Sequence, residues 1–413
     1  MKINFLQEMK LRGYLNQCTN LKELEEITRK KSIIGYIGFD CTASSLHVGS
    51  LLQIMILKLM QKHGHKPIVL LGGGTTLIGD PSGKDSTRRI LTKKEIEKNI
   101  LNITKVFKKI LNTKDKKTKP VFVNNHEWLT KLNYIDFLRD IGSHFTINKM
   151  LTFDSVKLRL DRQQSLSYME FNYMILQAYD FYQLFKKHNC ILQMGGSDQW
   201  GNIVNGVELI RRILQKEAFG LTTPLITLSS GAKMGKTEKG AVWLDKKMFS
   251  PYDYWQFWRN TADEDVKKFL KYFTEIETDK LSDKIDSEKD INKLKILLAN
   301  EATAILHGSK AAKDSEETAK ATFIQGGIGK DIPEKKLSKK IITEGINIID
   351  LVSQNGLASS KSDARRILKN RGIKINDKII EDEKKIVSLK DFSNNNHIKL
   401  SVGKKTHLKV TIT

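Results

Sequence analysis

The chain has 413 residues, and its 70 Lys and Arg residues against 47 Asp and Glu residues give a formal net charge of +23. This charge suits a polyanionic partner such as nucleic acid, although lysine is abundant along the whole chain and part of the basicity is therefore compositional. The three scattered cysteines exclude a disulfide framework, and the absence of a long apolar run excludes a signal peptide or membrane span, so we expect a cytoplasmic protein.

In the first half of the chain, short runs of β character alternate with helical patterns. The runs of β character are, in chain order, IGYIGFD, KPIVLLGG, PVFVNN, ILQMGG and TPLITL. Between them, the segment KKEIEKNILNITKVFKKIL repeats apolar residues at helical spacing. This alternation predicts an α/β fold with a Rossmann-like parallel sheet and helices on both faces. Ligands of such folds bind at the carboxyl ends of the strands, where this chain reads GFDCT, GGGTT, NNHEW, GGSDQ and SSGAK.

The second half of the chain has a different organisation. We expect the α/β domain to occupy residues 1–248, with an insertion at about 126–190, and an all-helical domain to occupy residues 249–325. Residues 326–345 combine glycine, proline and charge without periodicity, which predicts a linker. A small α+β domain should follow at residues 346–413.

The segment from Tyr36 to Ser50, YIGFDCTASSLHVGS, follows an apolar strand and precedes an apolar helix. One interpretation is structural: Ser44 or Ser45 caps a helix that begins near Ser45, and His47 lies in its first turn. The other is functional, because a turn from a strand into a helix leaves unpaired N–H groups and a positive dipole end that bind phosphate. The segment alone leaves both interpretations open.

The segment YMEFNYMILQAYDFYQLF predicts a helix with three polar groups on one face. Tyr173, Gln177 and Asp180 stand at i, i+4 and i+7 among apolar residues. The polar edge of an amphipathic helix is the simpler interpretation, but aromatic residues flank Asp180, which makes the position a poor one for a solvated charge. A small polar ligand would satisfy all three groups.

A glycine-rich segment, GGGTTLIGDPSGKDSTRR, places a carboxylate next to several cations. Asp80 lies close to Lys84 and Arg88, and these groups can form internal ion pairs or can divide between an ammonium and phosphates. A Walker loop is excluded, because Ile78 stands where that pattern needs glycine.

A second glycine-rich segment, SSGAKMGKTEKG, also comes close to the Walker pattern. Gly231 lies one residue too close to Gly235 for that pattern. Lys233 and Lys236 are three residues apart among glycines, which favours a mobile arm that delivers charge to phosphates over a fixed cradle.

In their order along the chain, these motifs resemble those of one enzyme family. HVGS at residues 47–50 and KMGKT at residues 233–237 are similar to the two signatures of class I aminoacyl-tRNA synthetases. With GDPSGK, YMILQAYDF and GGSDQWGN between them, the chain resembles bacterial tyrosyl-tRNA synthetases over nearly its whole length. The segment NGLASSKSDARRILKNRGIKINDK is similar to the S4 RNA-binding module, so residues 346–413 are expected to form an S4-like domain.

The resemblance implies roles for individual residues. Tyr36 and Asp180 match the family's site for the substrate hydroxyl. The rest of the amino-acid site comprises Asp80, Tyr173 and Gln177 at the ammonium, with Asn125 and Gln193 also lining the pocket. The ATP and adenylate site comprises Gly38, Asp40, His47, Gly49, Ser50, Gly195, Gly196, Asp198, Gln199 and Lys236. The residues implied to act on the phosphates during catalysis are Thr42, His47, Lys84, Arg88, Lys233, Lys236 and Thr237.

The chain departs from the family pattern at three positions. Ser50 replaces the second histidine of the first signature, Cys41 replaces a common proline, and Ile37 stands where some members have cysteine. Because serine still donates a hydrogen bond, we expect altered ATP affinity rather than loss of activity.

The reaction implied by the resemblance has two steps. Tyrosine and ATP form tyrosyl adenylate and pyrophosphate, and the tyrosyl group then moves to the 3′ end of tRNA(Tyr). No protein-ligated metal is implied, and Mg²⁺ is expected only as the companion of ATP. The resemblance also implies a homodimer, which agrees with the apolar segment between Phe137 and Met150.

The S4-like segment contains a basic stripe on a predicted helix. Ser360 and Asp363 have the spacing of a capping box that would begin this helix. The candidate RNA-binding residues on it are Lys361, Arg365, Arg366 and Lys369. A solvated helix face explains the stripe as well as RNA does, and the resemblance favours RNA.

Two alternatives remain at this point. A tryptophanyl-tRNA synthetase would share the architecture, but an indole offers a single N–H, so the paired phenol and carboxylate of Tyr36 and Asp180 favour a phenol as substrate. A non-catalytic S4-type RNA-binding protein would not need the polar clusters around Asp80, Gln177 and Lys236.

Overall fold

The computed structural model describes residues 3–80, 91–231, 234–237, 240–324, 333–392, 397–403 and 406–413. The contacts of the chain divide it into two compact units. The first unit comprises residues 1–249 and 257–307, and the second comprises residues 250–256 and 308–413. Most of the segment predicted to form a helical domain therefore packs with the α/β domain in one unit.

The first unit is built around a sheet whose strands are β1 (Gln17–Cys18), β2 (Ile34–Asp40), β3 (Lys66–Gly72), β4 (Val121–Asn124), β5 (Cys190–Gly196) and β6 (Phe219–Thr223). Their order is β1-β6-β5-β2-β3-β4, and all neighbours are parallel except β1 and β6. The chain runs outward from β2 through β3 to β4, then returns to β5 and runs outward the other way. The switch point therefore lies between β2 and β5, where α/β folds bind their ligands.

Helices lie between and after these strands along the chain, and residues 250–256 among them belong to the second unit. In chain order up to residue 307 they are α1 (Phe5–Arg12), α2 (Leu21–Lys30), α3 (Leu51–Lys62), α4 (Lys93–Ile110), α5 (His126–Leu129), α6 (Tyr134–Asp140), α7 (Ile147–Met150), α8 (Asp154–Asp161), α9 (Tyr168–His188), α10 (Trp200–Leu214), α11 (Pro251–Arg259), α12 (Asp263–Phe273), α13 (Thr278–Ser287) and α14 (Ile291–His307). A short hairpin of β7 (Lys236–Thr237) and β8 (Gly240–Ala241) lies between α10 and α11. None of the helices in the described part of the chain is long and apolar enough to cross a membrane.

The predicted parallel α/β sheet is confirmed, with one strand misplaced. The run TPLITL was expected to form the last strand, whereas β6 ends at Thr223, the first residue of that run. Pro224 follows directly, and proline has no N–H with which to continue a ladder. The strand is instead the preceding segment FGLTT, all of which is buried.

The helix after β2 begins later than the serines of that segment suggested. The imidazole Nδ1 of His47 accepts a hydrogen bond from the Gly49 N–H at 3.0 Å and caps a 3₁₀ turn over Val48–Ser50. Helix α3 then starts at Leu51 and not near Ser45. The histidine, and not a serine, is therefore the capping residue at this turn.

The second unit contains a small α+β domain around its own apolar core. Its elements are α15 (Ser309–Ile324), β9 (Glu334–Leu337), α16 (Lys339–Glu344), β10 (Ile346–Asn347), α17 (Ile348–Gln354), α18 (Lys361–Lys369), β11 (Ile373–Ile375), β12 (Lys378–Ile379), β13 (Ile386–Val387), β14 (His397–Val402) and β15 (Thr406–Ile412). One sheet has the order β12-β11-β14-β15-β9. The core includes Leu351 and Val352 of α17, Leu368 of α18 and Leu400 of β14.

The predicted linker is corrected over part of its length. Residues 326–332 lie outside the described residues, but β9 pairs in parallel with β15 in the C-terminal sheet, and α16 follows it. The S4-like sheet thus incorporates residues that the sequence analysis placed in the linker. The charged residues Glu334, Lys335 and Lys336 gave no apolar pattern from which to predict this strand, because β9 is an exposed edge strand.

A buried carboxylate ties α1 to the rest of the first unit. Glu8 is fully buried and accepts hydrogen bonds from Arg12 Nε at 2.9 Å, Lys62 Nζ at 2.8 Å and His63 Nε2 at 2.8 Å. The guanidinium of Arg12 also donates to the carbonyl oxygens of Thr274 and Ile276. Burial raises the pKa of Glu8, but its hydrogen bonds to His63, Lys62 and Arg12 outweigh burial and lower this pKa to about 2.

We expect the substitution Glu8→Gln to lower the free energy of unfolding at pH 7 by about 2–3 kcal/mol, because it leaves the cations around residue 8 without their counter-charge. The pKa of Glu8 in the folded chain is lower than the ordinary value of 4.5, so its contribution is present above pH 4.5 and is lost as the pH falls towards 2. The difference in the free energy of unfolding between the wild type and Glu8→Gln, measured by urea unfolding, should therefore be smaller at pH 3 than at pH 7.

A matched control is Glu277→Gln, which removes an exposed carboxylate paired with Lys280 at 2.6 Å. Exposed pairs contribute little to stability, so this variant should unfold at nearly the same urea concentration as the wild type. An equal effect of Glu8→Gln at both pH values would contradict the electrostatic origin of the stabilisation.

Candidate active site at the switch point of the sheet

A cavity of about 440 Å³ opens at the carboxyl ends of β2, β3 and β5. It lies at the switch point between β2 and β5. The sequence-predicted residues that line it are Tyr36, Gly38, Asp40, Thr42, His47, Gly49, Ser50, Asp80, Asn125, Tyr173, Gln177, Asp180, Gly195, Gly196, Asp198 and Gln199. The structure thus brings together residues from distant segments of the chain.

The inner part of the cavity contains a phenol and a carboxylate. The hydroxyl of Tyr36 is buried and has no hydrogen-bond partner among the described residues. The Asp180 carboxylate accepts hydrogen bonds from Asn125 Nδ2 at 2.9 Å and from Trp128 Nε1 at 2.7 Å. Burial raises the pKa of Asp180 to about 7, although both donors oppose this shift. A bound hydroxyl at this point could pair with both Tyr36 and Asp180.

Asp180 is buried because of its place on α9. The helix starts with a capping box in which the Ser167 side chain accepts from the Glu170 N–H and the Glu170 carboxylate accepts from the Ser167 N–H. Along α9, apolar residues such as Phe181 and Leu184 pack into the core beside the sheet. Asp180 therefore projects from a buried stretch of helix, as the aromatic residues around it suggested.

A second group of polar side chains lies farther along the cavity. The Tyr173 hydroxyl donates to Asp40 Oδ1 at 3.3 Å. Gln199 Nε2 donates to Asp80 Oδ2 at 3.0 Å. These carboxylates and amides are acceptors of the kind that an ammonium or a ribose needs.

The two signature segments contact each other through their backbones. Gly235 has φ +102°, and a Cβ at this position would lie 2.6 Å from His47 Nδ1. A Cβ at Gly49 would lie 2.8 Å from the carbonyl oxygen of Met234. A side chain at either glycine would push the segments apart, so the close approach requires glycine at both positions, and the positive φ requires it at Gly235 as well.

Several predicted site residues fall outside the described part of the chain. These are Lys84, Arg88 and Lys233, and for Lys236 and Thr237 the structure describes the backbone strand β7 alone. Gln193 is described but does not line the cavity. It is buried on β5, where its Oε1 would be 3.1 Å from a Cβ on Gly206 of α10.

Trp128, Trp243 and Asn202 are among the residues of the site that the sequence did not predict. Trp128 holds Asp180, Trp243 lines the cavity with its ring centroid 6.3 Å from that of His47, and Asn202 connects the polar side chains of the cavity. Trp128 and Asn202 belong to the strand-end segments NNHEW and GGSDQWGN. Their position in those segments was the available signal.

The candidate RNA-binding residues lie on α18, as predicted. Three of these basic side chains make ion pairs within the domain: Lys361 with Asp350 at 2.6 Å, Arg365 with Glu383 at 2.5 Å and Arg366 with Asp363 at 2.7 Å. Lys369 is exposed at the end of the helix. The opposite face packs through Ala364 and Leu368, so the basic groups are presented to solvent.

Two protein families match consecutive parts of the chain. The family of tRNA synthetases class I (W and Y) matches residues 5–324. The tyrosine–tRNA ligase SYY-like C-terminal domain matches residues 324–410. The two matches together extend over nearly the whole chain.

Individual proteins agree with the family matches. The chain is 62% identical over 408 residues to the tyrosine–tRNA ligase of Pelagibacter ubique, covering 99% of each, and 52% identical to that of Rickettsia massiliae, covering 99% of this chain and 100% of the relative. The fold matches a C-terminally truncated mitochondrial tyrosyl-tRNA synthetase of Aspergillus nidulans with a TM-score of 0.70 and 29% identity, covering 78% of this chain and 95% of that one. The chain therefore belongs to the tyrosine–tRNA ligases, a family of class I tRNA synthetases.

Proposed function

We propose that the cavity between β2 and β5 binds tyrosine and ATP side by side, with the phenol of tyrosine at its inner part. The chain is an ATP-dependent ligase that attaches tyrosine to tRNA. The observation that carries the assignment of the cavity is the buried pair of Tyr36 and Asp180. A hydroxyl can donate to the carboxylate and accept from the Tyr36 hydroxyl, whereas an indole N–H can only donate.

The other polar groups of the cavity divide between the two substrates. Asp80, Tyr173 and Gln177 would hold the ammonium of tyrosine, and Asn125 would act through Asp180. Gly195, Gly196, Asp198 and Gln199 would hold the ribose of the adenylate. The phosphates would contact Gly38, Asp40, Thr42, His47, Gly49, Ser50 and the cations Lys84, Arg88, Lys233 and Lys236, with Thr237 alongside.

The first chemical step is an in-line displacement at phosphorus. A carboxylate oxygen of tyrosine attacks the α-phosphorus of ATP, the bond to the bridging oxygen breaks, and pyrophosphate leaves with the electron pair. Negative charge builds on the leaving group, so positioned donors and cations lower the barrier and no protein nucleophile is needed. We propose that Mg²⁺ enters with ATP, since it keeps several waters and is bound mainly by substrate phosphates.

His47 would supply one of these donors. Its Nδ1 accepts the hydrogen bond from the Gly49 N–H, so the neutral ring carries its proton on Nε2. The cap therefore sets the tautomer that can donate to a phosphate oxygen.

In the second step, a ribose hydroxyl of tRNA attacks the tyrosyl carbonyl carbon and AMP leaves.

The experiment that tests this proposal is ATP–pyrophosphate exchange with each of the twenty amino acids in turn. Exchange that depends on tyrosine alone would support the proposed pocket. Exchange with tryptophan, or with no amino acid, would contradict it.

We also propose that the chain acts as a homodimer. Large apolar side chains with more than a third of their surface exposed concentrate between residues 134 and 169, among them Tyr134, Ile135, Ile147 and Tyr168. The hydroxyls of Tyr134 and Tyr168 lie 3.0 Å apart, so the two ends of this segment meet in one surface. Such a patch is typical of a protein interface, and a second copy of the chain is the occupant we propose. Sedimentation equilibrium of the full chain measures the association directly.

Removal of residues 325–413 should preserve ATP–pyrophosphate exchange but impair the charging of tRNA. The class I family match ends at residue 324, so the truncated chain keeps the whole cavity and should retain exchange within about threefold. Charging of tRNA should fall by about tenfold to a hundredfold, because the basic groups of α18 are lost, and charging by the full chain should weaken steeply with salt. Parallel exchange and charging assays at two salt concentrations check this, and normal charging by the truncated chain would contradict an RNA-binding role for the C-terminal domain.

A further inference from the structure

Asn202 connects three polar residues of the cavity. It lies in the first turn of α10 with only 5% of its surface exposed. Its Nδ2 donates to Gln177 Oε1 at 3.0 Å and to Gln199 Oε1 at 3.1 Å. Gln199 in turn donates from Nε2 to Asp80 Oδ2 at 3.0 Å. Gln177, Gln199 and Asp80 line the cavity, whereas Asn202 lies behind them.

We propose that Asn202 positions the side chains that bind the ammonium of the amino-acid substrate. Asn202 does not contact the ammonium itself and acts only through Gln177, Gln199 and Asp80. The inference rests on the proposed function, which places the ammonium beside Asp80 and Gln177. Asn202 thereby has a role in substrate binding rather than in the chemical step.

The physical reason is that a glutamine amide can turn either its oxygen or its nitrogen towards a ligand. An ammonium has three donors and no acceptor, so it is repelled by the –NH₂ end and needs the oxygen. An amide nitrogen has two hydrogens, and Asn202 directs one to each glutamine oxygen. Because a carbonyl oxygen accepts two hydrogen bonds, Gln177 Oε1 keeps a lone pair for the substrate.

The same amide fixes the carboxylate of Asp80 indirectly. With Gln199 Oε1 held by Asn202, the –NH₂ end of Gln199 points at Asp80 Oδ2. This hydrogen bond occupies one oxygen of Asp80. The carboxylate is thereby oriented in the part of the cavity where the ammonium would lie.

Asn205, one turn farther along α10, provides an internal comparison. It is also buried, with 4% of its surface exposed, but its Nδ2 has no hydrogen-bond partner among the described residues. It does not line the cavity. The helix therefore accommodates a buried asparagine that takes no part in this chain of hydrogen bonds, and Asn205 is the matched control position.

The test uses the full chain with Asn202→Leu, Asn202→Ala and Asn205→Leu, and two ligands. One ligand is tyrosine, and the other is 3-(4-hydroxyphenyl)propanoate, which has the same phenol and carboxylate but no ammonium. Titration calorimetry measures both affinities, exchange assays give the KM for ATP, and thermal unfolding checks that each variant is folded. The alanine variant serves if leucine does not fit at position 202.

In the Asn202 variants, the Kd for tyrosine should rise by roughly tenfold to a hundredfold, since oriented acceptors for a charged group are lost. The Kd for the analogue should change by less than about threefold. The KM for ATP should rise less than the Kd for tyrosine, because Gln199 is only one of several groups proposed at the ribose. Asn205→Leu should leave all three values near those of the wild type.

Equal weakening of both ligands would overturn the inference, because it would show that Asn202 supports the fold of the pocket as a whole. An unchanged Kd for tyrosine would overturn it as well. If the wild-type chain did not bind tyrosine, the proposed function itself would fail, and that result is read from the wild type without reference to any variant.

Discussion

Exchange of pyrophosphate into ATP should fall by roughly 10² to 10⁴ when phenylalanine replaces tyrosine. Phenylalanine would fill the cavity but leave the Tyr36 hydroxyl and the Asp180 carboxylate without the partner that the substrate hydroxyl provides. Each buried hydrogen bond of this type contributes about 1.5–3 kcal/mol, and two such bonds give the stated range. The measurement is kcat/KM for exchange with each amino acid under the same conditions.

A pair of variants isolates the hydroxyl of Tyr36 from its ring. Tyr36→Phe keeps the ring that packs on Phe181 with centroids 5.4 Å apart, and should lower the preference for tyrosine over phenylalanine by about tenfold. Tyr14→Phe is the control, because Tyr14 is equally buried but its hydroxyl donates to the carbonyl of Tyr272 away from the cavity. Equal use of phenylalanine by the wild type, or an equal loss of preference in the control, would refute this assignment.

Removal of either lysine of the second signature should slow adenylate formation by roughly 30- to 1,000-fold. Lys236 follows Gly235, whose backbone packs on His47, so the signature segment passes close to the proposed phosphate site. A lysine ammonium that contacts the leaving pyrophosphate stabilises it most once negative charge has built up on that group. One such contact lowers the activation free energy by about 2–4 kcal/mol. The dissociation constants of tyrosine and ATP should change much less than the rate constant.

Pre-steady-state adenylate formation by Lys233→Ala and Lys236→Ala separates the rate constant from the dissociation constants. Lys131→Ala, which removes an exposed lysine that does not line the cavity, should behave as the wild type. An unchanged rate constant together with weaker ATP binding in both signature variants would show that the lysines act in the ground state, and the mobile-arm hypothesis would be wrong.

Local sequence patterns were sufficient for the strands and helices that carry a strong apolar period. Strands β2, β3, β4 and β5 lie where their apolar runs predicted, and α4 starts with a capping box at Thr92 and Glu95. Patterns failed where the chemistry of a single residue overrode composition. Pro224 displaced the last strand to FGLTT, and His47 replaced the serines as the cap before α3.

The sequence by itself determined the α/β class, the strand ends at which the site would lie, and the family that the motifs resemble. Each of these can be recognised from residues that are close together in the chain. Only the tertiary structure decided which side chains meet. Asn125 and Asp180 are 55 residues apart, and their hydrogen bond exists because α9 packs on the sheet to which β4 belongs. The direction of a buried side chain such as Gln193, and a link such as that from Asn202 to Gln177, follow from this packing, which local propensity does not encode.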